Sequence, residues 1–451
     1  MSQNSSMNNF SEGRIFLPML RFTFLIMSAM IIQMLYGAVD LLMVGQFSDA
    51  DNVAAVSIGS QLMHALTLVL TELAVGTTVI LGQLIGEKKT DECGRIIGST
   101  IFFFAVTGIV ITIAMQFLAP GTAMILNTPS EAFESTVSYI RICCGGTLFI
   151  IGYNIIGSIF RGLGDGKMPL ITILIAGIIN IIGDFILVYG FRMGAVGAAY
   201  ATVVSQAISV FLSIMIIKRK GLPFSFGLSD LKLNKSVIKR IVRLGAPLAV
   251  HDLLVGISFL IILAIINRFG VTAAAGIGVA EKLIGFIMLL PVSFSQSIAT
   301  VVAQNFGANK TDRALKALHY GIICSFCCSC IIGYLSFFHG KMLSGIFSYD
   351  ADICFMSAEY LKAYAIDCLL TSFLFCYMGF FNGCGKTSFV MIQGIVGAFA
   401  LRAPLSLIFS FIEPVSLFYI GLAAPCTTVI QNIMCFVYLK LMTERIGTNK
   451  H

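Results

Sequence analysis

Twelve stretches of the chain are apolar over a length that suits a membrane-spanning helix, and this feature limits the fold more than any other. A helix needs about 20 mostly apolar residues to cross the hydrocarbon. Gly, Pro and charge breaks place the first six at 15–45, 53–85, 93–118, 133–160, 167–190 and 194–217. The second six fall at 240–268, 271–306, 314–339, 353–382, 387–411 and 415–440. The longer runs exceed the hydrocarbon thickness, so they should tilt, bend or protrude. Composition closes the soluble alternative. Of 451 residues, 57% are hydrophobic and 11% charged, against about 25% charged in a soluble domain. The expected class is an all-α polytopic membrane protein with 12 transmembrane helices, which excludes cytosolic enzymes and nucleic-acid binders.

The net charge of +7 is a topology signal rather than a mark of phosphate partners. With the N-terminus inside, 21 of the 29 basic residues fall in inner segments, from Arg14 through the run Lys218 to Arg243 and on to Lys440, Arg445 and Lys450. Outer segments hold only Arg192, Arg268 and Lys341. Positive charge marks the cytoplasmic side, so both termini are expected in the cytoplasm of a multi-pass protein of the plasma membrane. Trp is absent, which leaves interfacial anchoring to Tyr and Phe. The segment ahead of Ile15 is mostly polar and the apolar run after it is too long for a signal sequence, so no cleaved signal is expected.

The longest polar connection, with Pro223, several Gly and Ser and a basic run, reads as a cytoplasmic linker over 219–239. It would join an N-terminal six-helix lobe, 1–218, to a C-terminal one, 240–451. The lobes are repeats. Gln83-Leu-Ile-Gly86-Glu-Lys-Lys89-Thr90-Asp91 matches Gln304-Asn-Phe-Gly307-Ala-Asn-Lys310-Thr311-Asp312. The offset that carries Gln83 to Gln304 also aligns Tyr139-Ile-Arg141 with Tyr360-Leu-Lys362, and Phe160-Arg-Gly162-Leu-Gly164 with Phe381-Asn-Gly383-Cys-Gly385. Six helices per repeat is an even number, so both enter from the same side. The result is two six-helix bundles related by a parallel internal repeat, an architecture of transporters that alternate access between the halves.

Ionisable groups inside a membrane are expensive and face a cavity, a partner or an ion path. Asp40, Glu72, Asp184, Asp252, Glu281 and Asp367 all stand within spans. Asp40 and Asp184 each lie near the outer end of an outward-running helix, about 7–8 Å below its edge at 1.5 Å per residue. Asn180 shares the helix face of Asp184, and Thr202 reaches similar depth on the sixth helix. Such oxygen ligands suit a hard cation such as sodium. Two carboxylates in one desolvated site can equally hold a proton. At the repeat offset, Asn180 and Asp184 become Leu401 and Leu405, so cation coupling is expected in the N-terminal half.

Gln33, Tyr36 and Asp40 form one stripe on the first helix, able to contact cation and substrate or to bond a neighbouring helix. Asp252 and Asp367 sit at mid-depth of the seventh and tenth helices, where they could attract a cationic substrate. Substrate-facing candidates are therefore Gln33, Tyr36, Asn154, Asp252, Glu281 and Asp367. His64, Glu72 and His251 read first as packing residues. Cys324, Cys327, Cys328 and Cys330 imitate a metal motif, yet a structural zinc site needs four ligands held by turns. On an apolar helix they read as small apolar residues. No pair of His at metal spacing supports a membrane enzyme. No cofactor is expected beyond sodium as a coupling ion.

The segment Asn180-Ile-Ile-Gly-Asp184, followed by Gly194-Ala-Val-Gly197-Ala-Ala-Tyr-Ala-Thr202, resembles the fifth and sixth helices of bacterial MATE (multidrug and toxic compound extrusion) transporters. Val39-Asp40 with Val44-Gly45 fits the first helix, and Phe160-Arg161-Gly162-Leu-Gly164-Asp165 the end of the fourth. The resemblance spans nearly the whole chain. It implies a monomeric antiporter that exports amphipathic organic cations in exchange for sodium or protons. It further implies that Asp40, Asn180, Asp184 and Thr202 form a cation site, with Gln33 and Tyr36 beside the drug chamber. Some members use acids on helices seven and ten. Here the Tyr that precedes the second acid by four residues is replaced by Ala363. The alternative, a lipid-linked oligosaccharide flippase of related fold, should carry several basic residues in its chamber. Arg21, Arg141, Lys282, Lys362 and Arg402 are instead scattered.

Overall fold

A computed structural model describes residues 9–222, 224–413 and 416–448. Pro223 of the expected linker, residue 415 at the start of the last expected span and Lys450 lie outside the described residues. Hydrocarbon offers the backbone no hydrogen bonds, so apolar runs of this length must satisfy their own N–H and C=O groups as helices. Eleven helices are long and apolar enough to cross a membrane, and a bent pair makes twelve. In chain order they are α1 (Phe16–Phe47), α2 (Ala50–Gly86), α3 (Thr90–Ile125), α4 (Phe133–Gly145 and Thr147–Gly162), α5 (Lys167–Gly190) and α6 (Gly194–Lys220). Then follow α7 (Lys235–Phe269), α8 (Val271–Gly307), α9 (Thr311–Phe338), α10 (Ala351–Gly383), α11 (Thr387–Phe409) and α12 (Leu417–Arg445). Among the described residues there is no strand.

Two spans depart from their sequence-level form. In α3 the helix continues to Ile125 through Pro120, well past the expected end at 118. The Gln116 carbonyl that the proline leaves without its helical donor accepts from Arg141 Nε at 3.1 Å. Neighbouring groups satisfy backbone freed by proline in a membrane helix in this way. In α4 the chain bends by 53° between Gly145 and Thr147. The bend frees the Cys144 carbonyl, which accepts from the hydroxyls of Thr112 at 2.8 Å and Thr147 at 2.7 Å. That is how a broken helix stays satisfied without water.

Among the described residues the helices form two compact units, within Met1–Ala249 with Ala303–Asn309 and within Val250–Val302 with Lys310–His451. The main core of the first gathers Ile80, Leu81, Ile97, Phe104, Ile155 and Phe160 from α2, α3 and α4. The core of the second gathers Ile266, Ile277, Leu361, Tyr364 and Ile420 from α7, α8, α10 and α12.

The repeated motifs now have a physical account. A Cβ at Gly162 would lie 2.7 Å from the Thr78 carbonyl, and at Gly383 2.6 Å from the Ala299 carbonyl. Thr78 and Ala299 are themselves related by the repeat offset, so each repeat crosses α2 on α4, or α8 on α10, through a glycine. Gly164 and Gly385 then turn the chain at φ of 77° and 73°, left-handed values that glycine adopts without cost. The Gln-x-x-Gly motifs meet each other in the first unit. Gly86 abuts the backbone of Gln304, and Gly307 that of Gln83. The Gln304 side-chain oxygen accepts from the Phe10 N–H at 2.8 Å, and Gln83 accepts from Arg240 at 2.7 Å.

The connection after α6 is closely packed. Gly94 and Gly98 on α3 abut the backbone of Ser225 and Asp230, the Ser99 hydroxyl donates to the Lys232 carbonyl at 3.1 Å, and Phe224 is buried in the α2–α4 core. Residues 218–220 and 235–239 are helical, so the non-helical connection is shorter than the 219–239 segment.

Candidate cation site

The site is built where α1, α5 and α6 converge in the first unit. Asp165 starts α5 by accepting from the N–H groups of Lys167 at 2.8 Å and Met168 at 3.3 Å. The helix is α-helical to Asp184 and continues as a π-helical turn, Phe185–Gly190. Such turns are rare and recur at functional sites. Small residues admit the neighbouring helices. A Cβ at Gly177 would lie 3.3 Å from the Tyr36 ring of α1, and one at Gly183 would lie 3.0 Å from Ala201 of α6. One turn beyond the Tyr36–Gly177 contact, Asp40 lies against Asn180 and Asp184. One residue beyond the Gly183–Ala201 contact stand Asp184 and Thr202.

Asp184 and Asn180 are buried, at 0% and 1% exposure, and Asp40 is half-buried. Both carboxylate oxygens of Asp184, Oδ1 of Asp40, and the amide oxygen and nitrogen of Asn180 are buried without a hydrogen-bond partner outside this cluster. Native proteins pair the large majority of such side-chain atoms, so a cluster with no outside partner marks a place where one can be added. Oxygen acceptors predominate, and the partner that suits them is a cation or a proton. Thr202 is half-buried on α6, and its carbonyl accepts from Ser205 at 2.8 Å.

The other candidates are spread over both units. Gln33 is exposed on α1. Tyr36 is half-buried beside the buried Tyr153, the two hydroxyls facing one another. Asn154 donates to the Ile150 carbonyl at 2.8 Å and accepts from Thr71 at 3.2 Å. In the second unit Asp252 touches its neighbour His251 at 2.7 Å, and Glu281 is exposed. Asp367 is buried and accepts from Thr428 at 2.6 Å, within the field of Arg402.

Sequence reasoning passed over several of these neighbours. Tyr139 is buried beside Asp40 and Asp184; its repeat match with Tyr360 was the available signal. Arg161 bonds Ser158 at 2.8 Å near Glu72. Glu359, another carboxylate within a span, pairs with Lys362 at 2.6 Å. Among the described residues no three His, Cys, Asp or Glu come together as a metal set, and the cysteines are free thiols.

The MatE family model matches residues 26–186 and 247–408. The chain belongs to the MatE family. The second matched stretch begins at the repeat offset from the first. Curated relatives of this MATE chain include the "Probable multidrug resistance protein YoeA" of Bacillus subtilis (strain 168), 22% identical over 92% of this chain and 91% of the relative. The "Multidrug export protein MepA" of Staphylococcus saprophyticus is 24% identical over 86% of each. Among solved structures, a "Crystal structure of MATE in complex with MaD3S" superposes with a TM-score of 0.92 at 19% identity, over 99% of this chain and 100% of that one. An "Outward-facing conformation of a multidrug resistance MATE family transporter of the MOP superfamily" gives 0.91 at 20% identity, over 100% of each. Fold and family are those of a multi-pass membrane transporter, with the MATE architecture of two six-helix repeats.

Proposed function

We propose that this MATE chain is a multidrug efflux antiporter that exports amphipathic organic cations in exchange for sodium or protons by alternating access. The observation that carries the coupling is the cluster of buried acceptors, without outside partners, at Asp40, Asn180 and Asp184. Two carboxylates packed together and short of donors are stabilised when a cation or proton enters between them. Thr202 would add a hydroxyl oxygen to a sodium shell. The coupling ion enters from outside, its binding favours release of the drug there, and it leaves inward after the halves reorient.

Export is supported by the MepA relative, a multidrug export protein, and multidrug action by YoeA, a probable multidrug resistance protein. Gln33, Tyr36 and Asn154 in the first unit, and Asp252, Glu281 and Asp367 in the second, are the polar residues offered to substrate. With 20 Met and 37 Phe, the chain has many adaptable apolar contacts for varied substrates. The protein would work as a monomer in the plasma membrane with both termini cytoplasmic.

The test is transport by purified protein in liposomes under an outside-high sodium or proton gradient, with a fluorescent organic cation followed over time. Flux driven by one of the gradients is expected. Absence of coupled flux with both ions rejects the antiporter, and flux untouched by Asp40→Asn and Asp184→Asn rejects the site.

A further inference from the structure

A cavity of about 700 Å³ opens in the first unit, and its described lining holds none of the candidate site residues. The floor is the second segment of α4, which packs against both α3 and α6. One wall is Ile97, Ile101 and Ala105 of α3, and the other is Val210, Ile214 and Ile217 of α6. Each set recurs about one helical turn apart, so its side chains stack along a groove. Leu222, Phe224 and Phe226 line the end where α6 finishes.

From Ile97 to Ala105 the groove runs about 12 Å at 1.5 Å per residue. That is most of one leaflet of a hydrocarbon core about 30 Å thick. Left empty, an apolar space of this size would deprive its walls of contacts. The surface beside it is apolar as well, with Val106 and Val110 of α3 and Phe211 and Met215 of α6 exposed. Helices that face hydrocarbon look like this, and the apolar molecule at hand there is an acyl chain.

Charge selects among acyl chains. Lys218 stands in the lining at the Leu222 end and opens the run Lys218-Arg219-Lys220 that finishes α6. Among the described lining residues there is no Asp or Glu. An organic cation would meet a like charge at this end with no acid to hold it, whereas a lipid phosphate would meet a partner.

We propose that the groove binds one acyl chain of an anionic phospholipid, with the headgroup phosphate at Lys218. The expected topology puts that end on the cytoplasmic side, so the lipid belongs to the inner leaflet. The site is separate from the cation site and does not depend on the efflux reading.

The experiment titrates purified full-length protein with phosphatidylglycerol or phosphatidylcholine of the same chains and counts bound lipid by native mass spectrometry. One phosphatidylglycerol should bind about fivefold more tightly than phosphatidylcholine, which is about 1 kcal/mol, the contribution of one basic side chain near an anionic lipid. Lys218→Gln should remove the preference, and Ala105→Phe, which fills the groove, should lower binding of that lipid at least as far. A phosphatidylglycerol with a diazirine in its chain should label the stretches 97–105, 148–160 or 210–222. Equal binding of the two lipids, a preference untouched by Lys218→Gln, or label only elsewhere overturns the proposal. Label displaced by an organic cation and not by unlabelled phosphatidylglycerol overturns it too, in favour of a drug site. Should Ala105→Phe fail to fold, the position of the label decides.

Discussion

Asp184 meets Asp40 inside the first unit, and neither of its carboxylate oxygens has a hydrogen-bond partner outside the Asp40–Asn180–Asp184 cluster. The two residues come from α5 and α1, which are distant in the chain. Each substitution should therefore damage the same event. Asp40→Asn and Asp184→Asn are each expected to lower gradient-driven flux on the order of tenfold or more, about 1.4 kcal/mol per decade. The double variant should be little worse than either single one, the signature of groups that act together. Initial rates in liposomes check this, and additive losses would separate the two residues.

If sodium is the coupling ion, its binding should weaken as pH falls. Protonation removes the negative charge that attracts sodium, so proton and sodium compete for the same oxygens. Sodium titrations at mildly alkaline and mildly acidic pH should show the apparent Kd rising in acid. An unchanged Kd would place sodium elsewhere.

The meeting of the two Gln-x-x-Gly motifs makes a stability prediction. Gly86→Ala and Gly307→Ala each force a methyl into backbone of the facing motif, where no side chain can swing away. Overpacking of this kind costs about 1–3 kcal/mol. Thermal unfolding in detergent should show both variants with a lower Tm, whereas Gly37→Ala, with nothing within 4 Å of its Cβ, should stay near wild type.

Removing metal should change nothing at the cysteine-rich stretch of α9. Cys327, Cys328 and Cys330 are exposed free thiols on one helix, with no turn to close a four-ligand shell. Chelation, or replacement of the three by Ala, should leave both Tm and flux unaltered. A chelator-dependent fall in Tm that vanishes in the triple variant would restore a metal role.

Span positions were legible because hydrocarbon leaves an apolar run one option, and the observed ends differ from those expected mostly by a few residues. The misses have local causes. The extension of α3 past Pro120 goes with Arg141 donating to the freed Gln116 carbonyl, and the bend at Gly146 depends on Thr112 and Thr147 being placed to donate to the freed carbonyl. Asp40, Asn180 and Asp184 could be grouped from sequence because helix rise converts position into depth. Arg402 could not, since its place over the Phe259 ring follows from how α7 and α11 pack, which no single-helix period encodes. Tyr153 was hidden for the same reason: its hydroxyl faces Tyr36, which comes from a different helix, α1.

The connection after α6 has a practical consequence. Its polar, Pro- and Gly-containing sequence invites its use as a cutting point, a tag site or a junction for expressing the halves as separate chains. The close seating of Ser225 and Asp230 on Gly94 and Gly98, and of Phe224 in the core, makes it a built part of the first bundle. A protease or an inserted tag there meets backbone already occupied by α3, so a split transporter made at this point would begin with a damaged half.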